Sequence, residues 1–353
     1  MSTRFAISAL MTAALLLTVS ARELSAETVE YALDNGDTNG DLTRELSDAV
    51  HLVSYLFRDT APPVPLALCG GADTAVENGD SNGDGLRDLS DVVHFLSWQF
   101  SGGLEPALAC GDGFGASAGP RVLPRNGQNS QLYSRLAARW WQWALSLPAT
   151  DHPLADETGE NCDAGQSGNV WFLGGAFAIV DPDNPFAFIA EADRVCQVPK
   201  GKFIFFPILN TGCDTFEANF PSCTATDEEL VECAKEFAPD PTAPNVTVEA
   251  EVDGTSIENL DRFLTFSSPF DFTLDEDDPF VEVATEETDP DTGEIIPCPI
   301  PRPLRFADSG VYILMAPLRK GTHHIHFFGK LVFSEDPLSF FQLTIDYTLI
   351  VGN

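Results

Sequence analysis

Residues 80–91, DSNGDGLRDLSD, place oxygen-bearing side chains at the spacing that a twelve-residue calcium loop requires. Asp80, Asn82 and Asp84 supply side-chain oxygens at loop positions 1, 3 and 5, and Gly85 at position 6 permits the sharp turn back toward the ion. Leu86 then offers its backbone carbonyl, Asp88 a ligand or a water bridge, and Asp91 the closing carboxylate. The pattern occurs a first time over residues 37–48. There Asp37, Asn39, Asp41, Glu45 and Asp48 hold the matching side-chain positions, and Thr43 offers the carbonyl. The match continues beyond the loops, SDAVHLVSYLF from Ser47 against SDVVHFLSWQF from Ser90. The duplication predicts two bound calcium ions.

The elements that must hold these loops are two short helices. Leu46, Val50, Val53 and Phe57 recur at helical spacing after the first loop, as do Leu89, Val93, Leu96 and Phe100 after the second. Each helix is expected to present one apolar face, and the two faces are expected to bury each other. Neither half holds a core alone, so cation binding and folding are expected to be coupled. His51 and His94 occupy matching helical positions. Imidazole prefers softer metals than calcium, so surface or packing roles are expected of them.

The paired loop and helix resemble a type I dockerin, in the form found in many secreted proteins of aquatic bacteria, over roughly residues 34–112. The resemblance implies a small all-α module of paired EF-hand-type loops that docks onto a cohesin-like protein domain, often in polysaccharide-degrading systems. It carries over residue by residue to the ligands above and departs at two points. Leu42 stands where the first loop should have Gly, in a turn that prefers φ > 0, so the second loop is expected to bind calcium more tightly. Arg44 and Arg87 occupy position 8, usually apolar, where the two loops of the family normally pair.

Charge and cysteine content bound the setting. The 54 acidic against 19 basic residues leave a net charge of −35, which argues against nucleic acid or an anionic lipid surface as partner. Arg4, the apolar run from Phe5 to Val19 and the small residues up to Ala26 predict a signal peptide over residues 1–26, too short for a membrane span. The mature protein is therefore expected to be secreted, extracellular or in the cell envelope. Eight cysteines in an exported chain predict disulfides. Cys69 and Cys110 follow the two repeats at matching places and are expected to bridge. The remaining six, Cys162, Cys196, Cys213, Cys223, Cys233 and Cys298, allow fifteen pairings, of which only Cys223 with Cys233 is suggested locally.

A glycine-rich stretch near residues 111–120 suggests a linker over 113–124 and a second domain over 125–353. A helix is predicted from Asn129, with Leu132, Leu136, Trp140, Trp143 and Leu147 on one stripe and Pro148 as its stop. The tryptophans could form a sugar-stacking platform, but a stripe at helical spacing is more often core. Strands are predicted at 170–177, 202–209, 246–252, 263–274, 311–318, 323–328 and 341–351, with a turn at Asp253-Gly254 and one helix opened by Thr226 and Glu229. No βαβ rhythm is present, so the domain is expected to be mainly β, an antiparallel sandwich or jelly-roll with one or two helices. WWQWALSLP, GENC, GQSGNVWFLGG and VCQVPKGKFIFFPILN resemble an uncharacterised family of secreted bacterial domains over residues 125–215, which implies no activity.

Other chemistry is weaker. Gly165-Gln166-Ser167-Gly168 lacks the preceding strand and the glycine that a nucleophile elbow needs. On a strand His324 and His326 face one way and could share a metal, but ordinary strand histidines are favoured. Paired-carboxylate candidates include Asp151, Asp156, Glu157, Glu160 and the acidic stretch from Asp271 to Glu294, whose separations a sequence does not give. The leading expectation is a secreted calcium-binding attachment protein with a binding or structural β-rich domain, and a glycan as a further partner. The alternative is a polysaccharide-acting hydrolase with carboxylates in the second domain. Thiol titration of the denatured, unreduced mature protein should find no free thiol; reactive cysteines would contradict the assignment to an oxidising compartment.

Overall fold

A computed structural model describes residues 32–58, 60–66, 76–107, 122, 123, 125, 130–216, 222–274, 284–288, 292–298, 304–333 and 338–352. The expected signal peptide, Cys69, Cys110 and most of the expected linker lie outside these residues. Two of the linker residues are described: Val122 bridges Met315, and Leu123 N–H donates to Leu314 O at 2.8 Å.

The stretch FIFFPILN shows why the body is layered. It opens strand β4 (Phe203–Asp214), whose residues from Phe203 to Leu209 are all buried, so both faces of the strand are covered. On one face Phe205 meets Tyr133 of helix α3 (Ser130–Leu145) edge-on at 6.2 Å; on the other Phe206 stacks on Phe327 at 5.1 Å. The first sheet runs β1 (Val170–Phe172), β4, β11 (Arg305–Met315), β7 (Leu264–Phe266), with β8 (Phe270–Asp271) also on β11. The second runs β2 (Ile179–Asp181), β3 (Asn184–Val198), β13 (Phe340–Val351), β12 (Gly321–Val332), β5 (Val246–Val252), β6 (Thr255–Ser256). A separate pair joins β9 (Glu286–Thr288) to β10 (Ile295–Pro297). Helix, first sheet and second sheet thus form three layers around one continuous apolar core.

The chain is mainly β among the described residues, but the sheets are mixed rather than antiparallel. β1 lies parallel to β4, and β3 lies parallel to β13 over twelve register positions, Ala187 to Val198 against Phe340 to Val351. The C-terminal strand pairs on one side with its hairpin partner β12 and on the other with the first long strand of the body, which fixes that parallel contact. β3 was not among the predicted strands: its inward positions are Ala190, Ala192, Arg194, Cys196 and Val198, too small or too polar to read as an apolar alternation. Asp253-Gly254 does form the predicted turn, both residues at positive φ, between β5 and β6.

The predicted helix at Thr226 is α4 (Asp227–Glu236), closed by reciprocal capping between Thr226 and Glu229. It corrects the disulfide expectation. Cys233 lies on the buried face of α4 and pairs with Cys213 of β4, while Cys223 pairs with Cys298 and Cys162 with Cys196. Sequence proximity favoured Cys223 with Cys233; the packing of Leu230 and Ala234 against β4 and β11 decides otherwise. Trp140 and Trp143 are core residues and Trp141 is half-buried against the core, their indole N–H groups donating to Leu173 O, Ala164 O and Asp308 Oδ1 respectively at 2.7–2.9 Å.

A separate all-α module is not supported. Helices α1 (Leu46–Arg58) and α2 (Leu89–Ser101) pack on each other, but Leu33 belongs to the core of the β-rich body, and Ala32 forms a parallel bridge with Leu66. The expected burial of the two stripes is also corrected. The shared core is Ala49, Leu52, Val92 and Phe95, whereas Leu46, Val50 and Phe57 and their repeats Leu89, Val93 and Phe100 are exposed. Among the described residues no helix is long and apolar enough to cross a membrane.

One buried acid sits between α3 and the first sheet. Asp308 accepts from Tyr312 Oη and Trp141 Nε1, both at 2.7 Å, while its other oxygen is buried without a partner. Burial pushes its carboxyl up to about 7. A carboxyl raised in the fold binds more protons there than in the unfolded chain, so its contribution to stability falls as pH rises from about 4 to about 7. The Asp308→Asn variant should flatten the decline in unfolding free energy between pH 4 and pH 7, by up to about 1.4 kcal/mol per pH unit. An unchanged pH profile would contradict a buried, titrating Asp308.

Candidate metal centre

The two loops share most of their hydrogen bonds, but Asp80 Oδ1 accepts from Gly83 N at 2.8 Å and Asp84 N at 3.1 Å where Asp37 Oδ1 has no partner. Asp37 and Asp48 at the ends of the first loop are buried, as are Asp80 and Asp91 in the second. The closing carboxylate organises its own loop: Asp48 accepts from Thr38 N and Glu45 N at 2.8 Å, and Asp91 accepts from Asn82 N at 3.1 Å and Asp88 N at 2.9 Å. The opening carboxylate accepts from position 6, Leu42 N to Asp37 at 3.0 Å and Gly85 N to Asp80 at 2.9 Å. Asn39 and Asn82 accept from Asp41 N and Asp84 N at 2.9 Å, and these acids accept from Thr43 N and Leu86 N. Asp88 caps α2 by accepting from Ser90 N at 2.7 Å, and Glu45 accepts from Ser47 Oγ at 3.1 Å.

All twelve expected positions fall in two compact loops; Asp37, Asp48, Asp80 and Asp91 are buried at the loop ends, whereas Asp41, Glu45, Asp84 and Asp88 are exposed, and among the described residues no three loop acids bring their oxygens within 4.8 Å of one another. The donor set is hard oxygen throughout, which suits a hard divalent cation. One atom of the first loop leaves room for a further partner: Asp37 Oδ1 is buried and has no hydrogen-bond partner. Burial, with repulsion from Asp48 and Asp41, pushes the Asp37 carboxyl up to about 7, and burial raises Asp48 to about 6. A cation at the loop would relieve both effects.

Two residues missed in the sequence join the loops. Asn35 Nδ2 donates to Asp80 O at 2.5 Å and its Oδ1 accepts from Gly79 N at 2.8 Å; Asn78 Nδ2 donates to Asp37 O at 2.6 Å and its Oδ1 accepts from Gly36 N at 2.9 Å. Each loop is thus clasped by the other's asparagine. The available signal was the Asn-Gly pair repeated just ahead of each loop; Gly36 and Gly79 lie at φ 103° and 94°, where a side chain is strained. Position 8 follows the same symmetry. Arg44 of the first loop lies 4.5 Å over the Trp98 ring of α2, and Arg87 of the second lies 5.4 Å over the Tyr55 ring of α1. Stacked guanidinium groups take the place of an apolar pairing.

Leu42 adopts φ 70°, a conformation that costs roughly 1–3 kcal/mol for a residue other than Gly. Its side chain packs against the core of the body, and its carbonyl accepts from Arg139 Nη1 of α3 at 3.0 Å. Arg139 also donates to Asp41 O, and Arg135 donates to Gly40 O. The first loop is therefore docked on the body.

The remaining candidates separate. His323 contacts Asp253 at 2.7 Å, His326 contacts Asp346 at 2.8 Å and His324 contacts Thr348 at 3.2 Å, so each histidine has its own partner. His51 faces back to Thr38 Oγ1 at 3.2 Å. Ser167 lies in a run of turns with no strand before it. Asp156 is spent on its own turn, accepting from Thr158, Gly159 and Asn161. Cys223, Glu287 and Cys298 converge, but the two sulfurs are bonded to each other and Glu287 accepts from Cys223 N at 2.8 Å, which excludes a thiolate site.

The clasp predicts a crossed effect. Asn35→Ala strands Gly79 N–H and the Asp80 carbonyl, at about 1–3 kcal/mol for each buried group, and should weaken cation binding at the second loop more than at the first. Asn78→Ala should do the reverse. Titration of the two variants with equal losses at both loops would contradict the pairing.

Comparison with family models, with curated proteins and with solved structures finds no match to this chain.

Proposed function

We propose that this chain is a secreted, calcium-ordered attachment protein, whose duplicated loop-helix region works as a dockerin-like module and whose β-rich body has a binding or structural role. The observation that carries this is the symmetric exposure of large apolar side chains. Val50 and Val93 are 58% and 61% exposed, Phe57 and Phe100 67% and 66%, with Leu46 and Leu89 alongside. Six such residues at repeat-related positions are more than scattered surface apolarity, and they suit a protein partner of cohesin type. Buried loop carboxylates, and one buried oxygen without a partner, support calcium as the ordering ion. Three disulfides among the described residues fit an oxidising compartment. The hydrolase alternative loses a three-tryptophan sugar platform, since Trp140 and Trp143 of α3 are in the core.

Two outcomes test this. Calorimetry on the full mature chain should give two calcium ions, the Asp80 loop tighter than the Asp37 loop; one ion, none, or a stronger first loop would refute it. Val50→Asp with Val93→Asp should reduce binding to a panel of cohesin-like domains at least tenfold while leaving both calcium ions bound. Retained binding in that variant would sink the assignment of this face.

A further inference from the structure

Between the first loop and the α3 side of the body lies a cleft of about 770 Å³, within the size range of small-ligand sites. Its walls are tied together across the gap. Arg135 and Arg139 reach the loop carbonyls, and Arg44 Nη2 crosses to Asn169 Oδ1 at 3.3 Å. Lys202 Nζ donates to Gly168 O on the far rim.

The charges around the cleft are matched within the wall. Glu105 pairs with Arg44 at 2.7 Å, Asp34 lies beside Arg44 and Lys202 and is bonded by Asn169, and Arg139 lies beside Asp37 and Asp41. A ligand of either charge meets its own sign as well as its opposite, and separating these pairs strands a partly buried ion. What the cleft offers beyond them is dipolar and aromatic: Ser146 and Ser167 together with the rings of Trp98 and Phe172. Hydroxyl groups along a ligand's edge and C–H groups on its face match that combination.

We infer that the cleft binds a short, neutral oligosaccharide, held between the first loop on one side and the Ser167–Asn169 turn on the other. The partner-docking face on α1 and α2 is not needed for this, so the two can fail independently.

The test is calorimetric titration of the full calcium-loaded chain with neutral pentasaccharides of β-linked glucose, xylose, mannose and galactose. Pentamers of galacturonate and of glucosamine serve as anionic and cationic probes. At least one neutral pentamer should bind with a Kd of about 1 mM or tighter, and the charged pentamers at least tenfold more weakly. Ser167→Trp places an indole at an exposed rim position and should reduce the neutral affinity at least tenfold with Tm unchanged. Asn169→Ala, which removes the crossing contact, should also weaken binding and serves if the first variant does not fold. No binding by any neutral pentamer, tighter binding of a charged one, or undiminished affinity in the folded variants would overturn the inference.

Discussion

Buried carboxylates at the two ends of each loop are the constraint on which the loop-helix region depends. Asp37, Asp48, Asp80 and Asp91 are all buried, and the raised carboxyls of Asp37 and Asp48 show what that costs when nothing neutralises them. The helices cannot compensate. Each has thirteen residues, near the limit at which a helix persists alone, and their shared core consists of Ala49, Leu52, Val92 and Phe95 with a few partly buried neighbours. Closing a loop sets the first turn of its helix, because the closing carboxylate accepts from the position-9 N–H at that turn. The crossed asparagines make the state of one loop matter to the other.

The body obeys a different constraint. β4 and β11 are covered on both faces, so their side chains must fit a helix on one side and a sheet on the other. The same burial that fills this layer leaves Asp308 and Arg194 without surface. Arg194 instead donates to the carbonyls of Asp156, Gly174 and Gly175 and to Tyr347 Oη, which pins the 151–175 segment to the second sheet. The Cys162–Cys196 disulfide secures the same segment to β3. Leu42 and the two arginines of α3 join the regions, and the strain at Leu42 is offset by its burial and by the contact at its carbonyl.

Much of this was legible in the sequence where one residue type had one physical use. The two short helices of the duplication, the capping box at Thr226, the Asp253-Gly254 turn and the alternating C-terminal strand are of that kind. Failures came where a pattern had two uses. An apolar stripe on α1 reads as core, yet the small Ala49 and Leu52 face the partner helix while Val50 and Phe57 face solvent. β3 hid behind an inward arginine and two alanines. Cysteine pairing depended on how α4 lies on β4, which no local spacing encodes. Asn35 and Asn78 stood in plain view as repeated Asn-Gly pairs, but their use is across the duplication rather than within each half.

The central claim is that a bound cation organises residues 34–107 while the body stands without it. Hydrogen exchange on the intact mature protein, with calcium and after chelation, tests this most directly. The account predicts that amides of α1, α2 and both loops lose protection after chelation, while β4, β11, β12 and β13 keep theirs. Protection of α1 and α2 that survives removal of calcium would contradict it.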